Sequence, residues 1–220
     1  MKIKKYWWVL ILIQLTLLVV IINGKFAVSN DRPSLVYRED FREIPAAIPI
    51  TQEHISHEDL MLNLYGSAKE SLKKSHHENI VNDPYYLWSG RCSSNWAATF
   101  SHRQFLVDLR GVAKIRWRTK QSGFRRLHIL LKLEDGTWLV SDRTQGASED
   151  WKIGEFNLMD LEWYALSMET ITEREKVSSV DLSRVDEIGI TDLMRGGSSS
   201  ASSRLDWIEV YGKPVERFNS

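Results

Sequence analysis

The stretch from Val180 to Tyr211, VDLSRVDEIGITDLMRGGSSSASSRLDWIEVY, decides the fold. It predicts a strand over Glu187–Leu193, a Gly/Ser loop over Arg195–Ser203 and a second strand over Arg204–Tyr211. Ile188 and Ile190 alternate with Glu187, Gly189 and Thr191, the period of two that marks a half-buried strand. Trp207, Ile208, Val210 and Tyr211 are aromatic or β-branched, which suits a pleated surface. Such a pair, coming after many short strands, is how a β-sandwich ends.

The chain before it repeats the pattern. Strands are predicted at Leu60–Tyr65, Asn95–Phe100, Gln104–Leu109, Ala113–Lys120, Leu127–Leu133, Trp138–Asp142, Trp151–Leu158 and Leu161–Met168. Ile115 and Trp117 face one way, and Lys114, Arg116, Arg118 and Lys120 the other. Leu127, Ile129, Leu131 and Leu133 point inward, with His128 and Lys132 outward. Gln121-Ser122-Gly123 reads as the turn joining these two strands, so that together they form a basic stripe. Asp135-Gly136 is a hairpin signal. A strand and turn every 8–12 residues or so, with no long helix between, is the spacing of an all-β antiparallel sandwich. Two segments lack that pattern. Asn30–Thr51 reads as an irregular arm laid over the domain, because Pro33, Pro45 and Pro49 deny it a central strand. Thr170–Ser179 reads as a charged connection.

At 220 residues the chain is one domain with an N-terminal address. Lys2, Lys4 and Lys5 precede a run, Tyr6–Ile22, without charge. Ala27-Val28-Ser29 then offers small residues for a signal peptidase. The expected organisation is a signal peptide at 1–29, an arm at 30–59 and a sandwich at 60–215. The body is expected to be secreted or periplasmic. If the leader is retained, residues 6–22 anchor it to a membrane with the domain outside the cytoplasm. The leader holds four Lys and no acid, so the remainder carries 29 − 4 = 25 basic and 29 acidic residues, a net −4. That balance gives no general field for a polyanion, and nucleic acid is not an expected partner. Cys92 is the only cysteine, which excludes an intrachain disulfide and reads as a small buried hydrophobe.

Two phrases carry a family resemblance. Val180-Asp181-Leu182-Ser183-Arg184-Val185-Asp186-Glu187-Ile188-Gly189-Ile190 and Arg204-Leu205-Asp206-Trp207-Ile208-Glu209-Val210-Tyr211 resemble the last strands of galactose-binding-like jelly rolls, nearest to the complex I intermediate-associated protein 30 type. The block from Tyr85 to Trp138, with KIRWRTKQSGF and the LEDGTWLVSD that runs on from it, is also similar to a group of secreted bacterial proteins. The resemblance implies a jelly roll of eight or more strands, a fold used to bind carbohydrate or protein surfaces. It carries over no catalytic residue, and an export leader does not suit an assembly factor inside the cell.

A sugar site needs rings for pyranose faces and forked or charged partners for hydroxyls. The candidates are Trp88 and Trp96 as rings, Arg116 and Arg118 on a sheet face, and Asp192 and Arg195 at the mouth of the Gly/Ser loop. If Arg116 and Arg118 line the site, an acidic glycan is favoured. The other reading is an internal ion-pair ladder in which Glu134, Asp142 or Glu155 meets the stripe. Catalysis is not expected, since no nucleophile elbow, HExxH or Walker loop is present. A polysaccharide-active enzyme stays the alternative, with Asp192, Asp206 and Glu209 as its carboxyls; strand parity turns Asp206 and Glu209 apart. A protein-binding domain at the cell surface is the third reading. No cofactor is expected, although calcium could clip Asp40 to Glu209. His76-His77 reads as a solvated turn before it reads as a metal site.

Overall fold

The computed structural model describes residues 32–91, 93–194 and 200–217. The leader with residues 6–22, Cys92 and Arg195 lie outside them. No helix among the described residues is long and apolar enough to cross a membrane. Helix is confined there to three single turns of 3-10 type.

Among the described residues, fourteen strands make two antiparallel sheets. They are β1 (Ser34–Glu39), β2 (Leu60–Tyr65), β3 (Lys73–Ser75), β4 (Tyr86–Trp88), β5 (Ala97–His102), β6 (Phe105–Asp108), β7 (Lys114–Thr119), β8 (Leu127–Leu133), β9 (Trp138–Gln145), β10 (Lys152–Asn157), β11 (Trp163–Ser167), β12 (Thr172–Val177), β13 (Val185–Thr191) and β14 (Arg204–Glu216). In the first sheet β14 lies between β7 and the pair β1 and β4, with β10 outside β7 and β3 outside β4. The second runs β2-β5-β13-β8-β9-β11-β12, with β6 against β13. The far end of β14, Lys213–Glu216, crosses over to pair with β6, so one long strand ties the sheets together. The fold is the antiparallel sandwich of jelly-roll type.

The core lies between the sheets. Ile115, Trp117, Leu205, Ile208 and Val210 come from the first; Leu60, Phe100, Leu127, Ile129, Leu131, Ile188 and Ile190 come from the second, all buried. Alternation put Trp117, Ile129 and Ile190 inside, and each is fully buried. The Asp135-Gly136 hairpin forms, with Gly136 at φ +89°.

Connectivity departs from expectation. β13 and β14 are not paired; each sits in the middle of a different sheet, so the chain changes layers between them. β7 and β8 part in the same way. The basic stripe is therefore split, with Arg116 and Arg118 outside the first sheet and Lys132 outside the second. The arm is not wholly irregular: β1 within it pairs with β14 from Ser34 to Glu39. Pro33 precedes that strand, where a missing N–H does no harm. The charged connection after Thr170 contains β12, an edge strand with four exposed charged residues, Glu173–Lys176. Charge along an edge is what discourages pairing with another chain.

Candidate functional site

The outer face of the first sheet collects the charges. β7 offers Lys114, Arg116 and Arg118; β14 offers Trp207, Glu209 and Tyr211 opposite them; β10 adds Glu155, and β1 adds Arg38. A bulge between Leu205 and Trp207 resets the alternation of β14. Asp206 thereby joins Glu209 on the outer face, contrary to the parity read from sequence.

These groups form a ladder of ion pairs. Arg118 donates to Asp206 at 2.7 Å, and Arg116 reaches Glu209 at 3.0 Å and Glu155 at 3.2 Å. Lys114 meets Glu155 at 3.1 Å. Of the acids expected from sequence Glu155 takes part, whereas Glu134 pairs with Arg184 elsewhere. Asp206 and Glu209, on the neighbouring strand itself, supply the rest. Burial pushes the Asp206 carboxyl upward, and the Arg118 charge pulls it back. The two arginine forks are thus engaged inside the protein, which removes the reason to favour an acidic glycan over a neutral one.

Arg118→Ala tests the ladder. The guanidinium is about one-third exposed, but Asp206 is 6 % exposed and would lose its charge partner. The expected cost is about 2 kcal/mol, a fall in Tm of roughly 5 °C. A melting temperature within roughly 1 °C of wild type would show instead that Arg118 is free for a ligand.

Beside the ladder is a cleft of about 520 Å³, walled by the arm on one side and the Asp83–Tyr85 turn on the other. Arg38, Asp40, Arg42, Glu43, Ser56, Arg118, Asp206, Tyr85 and Trp207 line it. Arg38 bridges Asp40 at 3.3 Å and Glu209 at 2.7 Å, so the carboxylates proposed to clip calcium share a guanidinium instead. Ser56 donates to Asp40 at 2.8 Å. Trp207 is 8 % exposed, with the Arg38 guanidinium 4.6 Å from its ring centre. The Tyr85 ring stacks on His76 at 4.0 Å and carries the Lys74 ammonium, also at 4.0 Å. Burial lowers Lys74 to about 8.

The other residues chosen from sequence scatter. Trp88 is half-buried on the same outer face, with Lys73 at 4.7 Å and Arg204 at 5.6 Å from its ring. Trp96 is fully buried in the core, as the usual fate of a large ring suggests. Asp192 is 2 % exposed and bound to Arg125, so it anchors the loop and does not face solvent. His76 and His77 separate, one on Tyr85 and the other paired with Asp83 at 2.9 Å. Sequence reasoning missed Arg38, Asp40 and Trp207 as a group, because β1 was hidden in the arm and only its pairing with β14 brings them together.

No family model and no curated protein matches the chain. Among solved structures it is similar to a family 11 carbohydrate-binding module of the cellulosomal cellulase Lic26A-Cel5E of Clostridium thermocellum, at 14% identity over 85% of this chain and 98% of that one, TM-score 0.44. An exo-beta-agarase matches at 11% over 74% of this chain and 24% of its own, TM-score 0.41. The carbohydrate recognition domain of Emp47p matches at 11% over 84% and 99%, TM-score 0.40. Likenesses this distant carry no ligand with them.

Proposed function

We propose that the chain is an exported, non-catalytic binding domain that takes a carbohydrate in the cleft between the arm and the first sheet. One observation carries the reading: donors and acceptors, Arg38, Arg42, Arg118 and Ser56 with Asp40, Glu43 and Asp206, line one cleft together with Tyr85 and Trp207. A polyhydroxylated ligand, with donors and acceptors at every carbon, is the chemistry that such a lining matches. The near balance of charge favours a neutral glycan, and the paired forks of Arg116 and Arg118 agree. Trp88 is a second ring on the same face, for a longer ligand. Resemblance to the complex I intermediate-associated type and to the secreted bacterial group belongs to this proposal, as does export through residues 1–29. A protein ligand at the cell surface is the competing partner.

A second reading has one observation behind it. Asp206 and Glu209 share a face, so a pair of carboxyls for glycoside hydrolysis is present. Each is bound to arginine inside the protein, at 2.7 and 3.0 Å, so neither carboxyl is free to meet a scissile bond.

A glycan array with the full chain separates these. Binding to one or more neutral glycans is expected, weakened about tenfold by Arg42→Ala or Asp40→Asn, both at exposed positions. Hydrolysis of any polysaccharide on a panel would favour the second reading. Binding to no glycan at all would overturn both.

A further inference from the structure

One residue beyond Ser56 of the cleft, two histidines and an aspartate converge. His57 and Asp59 lie on the turn that enters β2, and His102 ends β5 opposite Leu60. One ligand atom from each falls within 4.8 Å of the other two. We propose that His57, Asp59 and His102 bind a divalent ion of the zinc class.

The donor set decides the class. Two imidazoles and one carboxylate suit Zn²⁺ and its first-row neighbours, while Ca²⁺ and Mg²⁺ take oxygen. Bonds of about 2.0–2.2 Å to a shared centre bring tetrahedral ligands to roughly 3.5 Å from each other. The three side chains therefore close by about 1 Å, a small rotamer adjustment on a turn.

The hydrogen bonds of the two rings set their tautomers. His57 Nδ1 accepts the Asp59 backbone N–H at 3.3 Å, and His102 Nδ1 accepts that of Gln104 at 3.2 Å. In each neutral ring the proton then sits on Nε2, and Nδ1 keeps a lone pair for a metal. Both hydrogen bonds are long, and coordination exchanges them for two metal bonds. Gln104 Nε2 donates to Asp59 Oδ1 at 3.1 Å, the outer-shell contact that orients a ligating carboxylate. His102 is held flat on Phe105, with ring centres 3.6 Å apart.

Two neighbouring features point the same way. Glu39 is fully buried and is bound by the backbone N–H groups of Phe41, Ser56 and His57, with no cation beside it among the described residues. Its carboxyl sits directly behind the His57 backbone. Tyr37, edge-on to His57 at 6.5 Å, buries a hydroxyl that has no hydrogen-bond partner. Three protein ligands leave at least one position for water, which would bring a polar atom into that corner.

Titration of the full chain with Zn²⁺, followed by calorimetry and thermal melting, tests the proposal. One equivalent is expected to bind, and a hundredfold excess over Kd should raise Tm by roughly 5 °C. Co²⁺ should give visible absorption, and Ca²⁺ and Mg²⁺ no shift. His57→Gln, at a half-buried position, abolishes binding, and Asp59→Asn weakens it at least about tenfold. Both are compared with wild type by their metal-free melts, so loss of the fold is not mistaken for loss of the site. His76→Gln with His77→Gln leaves binding intact. Absence of binding, or binding that survives His57→Gln and disappears with the tandem pair, overturns the proposal. Neither result depends on a glycan.

Discussion

Arg125→Met is expected to cost about 3–5 kcal/mol, a large share of the 5–15 kcal/mol that holds a typical domain together. The Arg125 guanidinium donates to Asp192 at 3.0 Å, and both side chains are 1 % exposed. Asp192 also accepts from Ser203 Oγ at 3.1 Å and from the Met194 backbone N–H, while Arg125 reaches the Met194 carbonyl at 3.3 Å. The pair thus holds both described ends of the Gly/Ser segment where the chain changes sheets. Removing the arginine leaves a buried carboxylate without its charge partner. The loss should show in urea unfolding as a lower midpoint with an unchanged slope. Arg125→Met combined with Asp192→Leu should recover much of it, because the charge and its desolvation cost leave together.

The pH dependence has a definite sign. Burial already pushes Asp192 above the ordinary carboxylate range, and the Arg125 charge restrains it. Without Arg125 the native-state value rises further, so the native state binds a proton more readily than the unfolded chain. Stability of Arg125→Met relative to wild type therefore improves as pH falls from 7 toward about 5. Asp206 and Glu39, also raised by burial, are common to both proteins and cancel in the difference. A deficit independent of pH, or a double variant no better than the single one, would mean that the carboxylate is not what destabilises the fold.

Burial was legible where one side of a strand is dry. At Trp117, Ile129 and Ile190 alternation alone placed the side chain, since a slip of one residue would have turned each to water. Pairing was not legible. Ser122 and the Gly123 beside it look the same whether they turn a hairpin or cross between layers, and the crossing is decided by contacts far away in sequence, such as Ser122 with Ser202. Parity failed at Asp206 because a bulge leaves no mark in composition. β12 escaped because an edge strand of charged residues has no dry side to read. Of the residues named from sequence, Arg118 lines the cleft and the half-buried Trp88 lies outside it on the same sheet face; Arg38 and Asp40 were not grouped with them, since they reach the cleft from β1 and the residue after it. Asp192 looked like a loop-mouth carboxyl and proved to be the loop's internal anchor.

Gly189→Ala should be as damaging as its neighbours' exposure is low. Gly189 lies in the middle of β13, between β5 and β8, and pairs with Thr99 and Leu130. A Cβ there would stand 2.1 Å from the Ala98 carbonyl oxygen and 2.5 Å from the Thr99 Cα. Both obstacles are backbone of the adjacent central strand, so relief requires β5 and β13 to move apart. That movement strains the ladder and disturbs the network behind it, where Glu187 takes hydrogen bonds from Tyr65, Thr99 and Lys132. Overpacking of this kind costs about 3 kcal/mol or more, against a gain of roughly 0.5–1 kcal/mol from the stiffer unfolded chain. Gly146→Ala is the control, because its nearest obstacle is a flexible Arg126 side chain at 3.9 Å. There the unfolded-state gain acts alone, and stability should stay level or rise by about 0.5 kcal/mol. Urea midpoints of the two variants decide the matter. If Gly189→Ala unfolds together with Gly146→Ala, β5 and β13 separate without cost, and close backbone contact is not what fixes the centre of the second sheet.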